Sequence, residues 1–163
     1  MWWRKRANRI GMDQQDASDN PNLALLIFLA WLVPGLGHVL LRRTGRGLVF
    51  AILVFASLGL GLAHEGKLAL RDPNQPVLTS LQVVGNIGVG PADFIARKMV
   101  YGEFALTLPK RGTDPDRVRL VGIQRTRAIS GLSIYGTAYL WTAGIFNLLL
   151  LFDVWDIGRG RKP

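Results

Sequence analysis

LSIYGTAYLWTAGIFNLLLLF, residues 132–152, decides the class of this chain. No charged side chain occurs from Ala128 to Phe152. At 1.5 Å per residue a helix over this stretch reaches ~31 Å, the thickness of a bilayer's hydrocarbon. A helix in a soluble bundle keeps a polar face at 3.6-residue spacing, and this stretch has none. Gly136, Leu140, Ala143, Gly144 and Asn147 instead fall on one face of small or polar residues, the pattern that lets membrane helices approach closely. Asn147 is then an interhelical hydrogen-bonding group, worth ~0.6–2 kcal/mol.

Two further charge-free runs lie upstream, Asn20–Leu41 and, with His counted neutral, Gly47–His64. Asn20-Pro21 supplies a cap and a first-position proline for a span over about Leu23–Leu41. Pro34-Gly35 should kink or break it. The link Arg42-Arg43-Thr44-Gly45-Arg46 is short enough to make the second span, about Gly47–Ala63, an antiparallel neighbour. Small residues Pro34, Gly35, Gly37, Gly45 and Gly47 would let the two helices close up. Val77–Ala96 is mostly apolar but carries Asn86, Asp93, Gly85, Gly88 and Gly90, with a break at Gly90-Pro91. It suits a further span, a re-entrant element or an interfacial helix. Glu103–Lys110 alternates weakly and suits a short strand. The expectation is therefore an all-α integral membrane bundle with three firm spans, a possible fourth and an N-terminal helical hairpin. Four segments follow: a polar basic tail (1–19, with Met12 an alternative start and Trp2 and Trp3 at an interface), the hairpin (20–63), a glycine-containing possible span with a basic loop (64–131), and the last span with its charged tail (132–163).

Composition agrees. Of 163 residues, 49% are hydrophobic and 19% charged, and mean hydropathy is +0.22. Absence of cysteine excludes disulfides, thiolate metal sites and cysteine nucleophiles. The net charge of +9 sits beside apolar runs, which points to anionic lipid headgroups rather than nucleic acid. Arg42, Arg43, Arg46, Arg125 and Arg127 are the expected headgroup contacts. Three spans with the N-terminus inside place 14 of the 20 basic residues in the cytoplasm, and four spans with it outside place 11. The positive-inside rule thus favours three.

PGLGHVLLRRTGRGLVF, residues 34–50, resembles the hairpin motif of the two-transmembrane domain family, in Pro34, Gly35, Gly37, Arg46 and Gly47. Leu40 stands where an aromatic is common and Arg42 where Gly is common. The Asp-Arg-Phe motif of the eukaryotic members is missing. YGTAYLWTAGIFNLLLLFDVWD, residues 135–156, is similar to the last span of an uncharacterised bacterial membrane-protein family with such a hairpin. The resemblance implies a multi-pass protein of a bacterial inner membrane and no activity.

Catalytic, cofactor and metal sites are not indicated. Asp153 and Asp156 share a face, but as headgroup-level charges beside Arg159 and Arg161. His38 and Asp93 are the two titratable groups for which a role in a membrane is conceivable. The leading expectation is a non-catalytic interaction or scaffold component, in contact with lipid and with a membrane partner or a second copy. The alternative is a small transporter or channel subunit with a polar path near Asp93, Asn86, His38 and Asn147.

Overall fold

A computed structural model describes residues 21–161. The basic tail of residues 1–19, with Trp2, Trp3 and Met12, the Asn20 cap and Lys162 lie outside it. Among the described residues the fold is all-helical, with seven helices and no strand. They are α1 (Pro21–Leu32), α2 (Leu36–Leu40), α3 (Thr44–Ala63), α4 (Pro76–Ile87), α5 (Pro91–Tyr101), α6 (Pro115–Ile129) and α7 (Ser133–Gly158).

Two helices, α3 and α7, are long and apolar enough to cross a membrane. Most of their apolar surface is not covered by the rest of the chain: 22% and 33% of the two apolar stretches are buried. They pack antiparallel. Near the start of α7, Gly136 lies against the carbonyl of Gly61. Farther along, Phe146 meets Phe50 edge-on at 5.9 Å.

The remaining architecture is laid out along α7. Leu23 of α1 lies against Gly158, at the far end, and Gly37, just past the α1–α2 turn, lies against Val154. Trp31, at the inner end of α1, donates its indole N–H to the carbonyl of Ile87 at 3.2 Å. On the other half of α7, Gly85 lies against Gly144, and Asn147 donates to the carbonyl of Gly88 at 2.8 Å. So α1 and α4 enter from opposite ends and meet tip to tip beside the middle of α7. Each has 12 residues, or ~18 Å. Together they match the 26-residue α7. After its tip each doubles back. α2 returns to the end where α3 starts, and α5 returns to the end where α3 finishes.

This layout corrects three expectations. Residues 23–41 are not one span: Gly35, at φ 85°, reverses the chain, and its backbone lies against that of Gly47. Of the three forms open to Val77–Ala96, the single span is ruled out: the chain turns at Gly88–Gly90, and α4 and α5 are each too short to cross. Two crossing candidates stand in place of three firm spans. The charge arithmetic falls with them. Arg42, Arg43 and Arg46 now share an end with the start of α1 and with Arg159 and Arg161, an arrangement neither count assumed. Glu103–Lys110 is no strand. It runs irregularly beside residues 66–72 and makes one isolated parallel bridge, Arg71 to Thr107.

Candidate functional site

Residues 64–76, a polar loop by sequence, contain some of the best-buried apolar side chains: Leu68, Ala69 and Leu70 are all buried. An extended segment has no internal partners for its carbonyls, and buried carbonyls must find donors. Here they come from side chains of three neighbouring helices, α5, α6 and α7. Ser133 donates to the carbonyl of Glu65 and Arg127 to that of Gly66. Tyr101, at 2.6 Å, and Gln124 donate to Leu68. Arg97 donates to Ala69 and, through the same nitrogen, to Ala105, both at 2.8 Å. The side chain of Thr137 accepts from the amide of Lys67. The result is a polar cap over the end of the bundle where α3 finishes.

Arg97 holds the cap to α5. It is fully buried, and its Nε donates to Asp93 Oδ2 at 2.6 Å, one helical turn earlier. Asp93 therefore neutralises a structural arginine. One of the basic residues counted towards a lipid-facing loop is thus internal. At the cap's rim, Arg117 meets Asp72 at 3.1 Å. The amide of Asn74, with Arg117 behind it, holds the Asp72 carboxyl below its ordinary range. Arg119 pairs with Glu103.

Between this cap and the bundle lies a cavity of about 410 Å³, lined by Lys67, Asp72, Thr79, Gln82, Gln124 and Trp141 among others. That volume is in the range of small-molecule sites. Trp141 Nε1 is buried with no acceptor.

The opposite end is simpler. His38 is fully buried. It donates from Nε2 to Asp153 Oδ2 at 3.0 Å and packs edge-on to Phe50. Asp156 sits 3.9 Å from Arg161, and Arg159 and Arg161 both lie over the Trp155 ring.

The four polar residues named for a path are thus dispersed. His38 pairs with Asp153 near one end, and Asp93 with Arg97 under the cap. Asn147 and Asn86 lie between, each with a buried side-chain oxygen that has no partner. Of the small residues, Gly35, Gly37, Gly47, Gly136 and Gly144 stand at close helix or backbone contacts, and Pro34 is buried at the tip. Gly45 does not: nothing lies within 4 Å of where its Cβ would be. Arg42, Arg43 and Arg46 rim an open concavity with Thr44 and Gly45. Arg125 is exposed, whereas Arg127 is drawn into the cap. Among the described residues no three metal-ligating side chains cluster.

Sequence reasoning missed the cap and Trp141. The signal available was the apolar triplet Leu68-Ala69-Leu70 inside a charged stretch, too short to carry a period.

The chain belongs to a family of unknown function, DUF6677, whose model matches residues 25–163. The match covers every helix from the first turns of α1 onward. No curated protein and no solved structure matches the chain.

Proposed function

We propose that this is a non-catalytic integral protein of a bacterial inner membrane, with α3 and α7 crossing and two re-entrant hairpins packed along α7. In this reading it is an interaction component, and its polar cap is the face offered to partners. One observation carries the proposal: large apolar side chains are exposed along the whole length of the bundle. They include Leu25 and Phe28 on α1, Leu48 and Ile52 on α3, Leu78 and Leu81 on α4, and Leu149 and Phe152 on α7. A continuous exposed apolar surface of this extent needs lipid or protein to cover it. The groove between α1 and α7, lined by Ile27, Leu148, Leu151, Phe152 and Trp155, is wholly apolar and suits an acyl chain.

Turning backbone at membrane depth is tolerated where it is buried in protein or lines a wet cavity. The second tip is covered: its Ile87 and Gly88 carbonyls receive Trp31 and Asn147. That supports a packed scaffold over a conducting path. The exposed arginines, Arg42, Arg43 and Arg46 at one end and Arg125 at the other, suit anionic headgroups.

Thr113→Cys, in the cap, and Gly45→Cys, in the link, exploit the absence of cysteine. With a membrane-impermeant thiol reagent on intact cells, one of the two should label and the other only after lysis. Equal labelling of both, or release of the protein by alkaline carbonate, would sink the reading.

A further inference from the structure

We propose that the cavity beneath the cap binds a small molecule or headgroup through an oxyanion, a phosphate or a carboxylate. The inference does not depend on how the protein sits in a membrane. It rests on which polar atoms in the cavity wall are already committed and which are left.

The acceptors are largely committed. Asp72 holds Arg117 and caps the Asn74 amide. The hydroxyl of Thr79 accepts from the Asp72 amide and donates to the Gln75 carbonyl. Thr137 accepts from Lys67 N and donates to the Ser133 carbonyl. The amide nitrogen of Gln124, a donor, is spent on Leu68 and Tyr101, while its oxygen and the Gln82 amide stay as neutral polar groups of the wall.

Beside those neutral amides remain two donors without a protein acceptor among the described residues, one of them charged. Trp141 Nε1 can only donate, it is buried, and it has no acceptor. Lys67 has no carboxylate within 4 Å among the described residues, so its ammonium carries an unbalanced charge at the cavity. With Asp72 neutralised by Arg117, the lining is net positive. A cation would meet Lys67 and find no free carboxylate. A neutral apolar guest would leave the indole N–H unpaired. A guest with an anionic oxygen satisfies both groups at once, and charge-assisted bonds to such an oxygen are the strong ones.

The protein purified in an uncharged maltoside detergent can be titrated with glycerol 3-phosphate and with citrate, following thermal unfolding. In parallel it can be placed in nanodiscs of phosphatidylcholine with or without phosphatidylglycerol. A rise in unfolding midpoint with either soluble probe identifies a free solute. A rise with phosphatidylglycerol alone identifies a lipid headgroup. In both cases Trp141→Phe, which keeps the ring and removes the donor, and Lys67→Met, which keeps the stem and removes the charge, should each weaken the response at least ~10-fold. Among the described residues Lys67 has no side-chain hydrogen bond or ion pair, so its variant is the one expected to keep the fold if the tryptophan variant does not. No response to any probe, or a response equal in Lys67→Met, overturns the proposal.

Discussion

The two doubled-back hairpins, α1–α2 and α4–α5, solve one geometric problem with different chemistry. Each sends a short helix inward along α7 and reverses on a positive-φ glycine, Gly35 or Gly90. The first turns on Pro34-Gly35, with Leu36 N donating to the Val33 carbonyl and His38 N to the Gly35 carbonyl. Its returning arm is tied to α7 by one polar contact, His38 to Asp153. The second closes its turn with Gly90 N donating to the Ile87 carbonyl. It is then held from outside more than once: Gly88 receives Asn147, and Arg97, paired with Asp93, reaches the carbonyls of Ala69 and Ala105. The hairpin with the internal buried pair and the larger number of outside contacts depends more on the fold around it.

Arg97→Leu is the hardest blow to that contrast. It strands Asp93 and frees the carbonyls of Ala69 and Ala105. Removing one partner of a buried pair costs ~3–5 kcal/mol. Denaturant unfolding in detergent should show a loss of that size, with protease sensitivity confined to residues 66–110. Uniform sensitivity across α1–α2 as well would mean that the two hairpins are not independent.

The two reversals should also differ in their tolerance of a methyl group. Gly90 has φ 83°, ψ −149°, a region open essentially to glycine alone, and a Cβ there would strike the Trp31 carbonyl. Gly35 has φ 85°, ψ −17°, the ordinary left-handed region, where the conformational cost of a side chain is ~1–2 kcal/mol. Its Cβ would strike the Gly47 carbonyl as closely as that of Gly90 strikes Trp31, so only the backbone region separates the two. Gly90→Ala should therefore lower folded yield more than Gly35→Ala. Equal yields would show that the backbone region is not what separates them.

Much of this contrast is legible in the sequence only on one side. Pro34-Gly35 announces its break, since proline and glycine act locally. The exposed runs of α3 and the long α7 declare themselves by length and lack of charge. Gly85, Gly88 and Gly90 give a break without saying where the chain goes next, because that is set by Asn147, 59 residues on from Gly88. The buried role of Arg97 is equally illegible, because arginine beside Lys98 reads as surface charge until Leu68-Ala69-Leu70 is seen folded over it. The cavity at Trp141 needs three distant segments to exist at all.

The smallest expected effect concerns the cap's rim. The Asp72 carboxyl titrates lower in the folded chain than unfolded. Its contribution is complete above the ordinary carboxylate value and is lost as pH falls through the lowered one. The pair with Arg117 is partly exposed, so it contributes under ~1 kcal/mol. The unfolding midpoint of the wild type should fall slightly more than that of Asp72→Asn between pH 5 and pH 3. Parallel curves would remove the rim from the account.

The place of α7 after both half-helices in the sequence has a consequence for the order of folding. It is the rail along which both are aligned, and its residues 133–158 follow them in the chain. Before those residues are made, Gly85 and Gly88 lack the backbone of Gly144 and the amide of Asn147 that they pack against. The two half-helices therefore cannot be fixed in the order in which they are synthesised. Both wait for one later helix, so the middle of the fold closes after its margins.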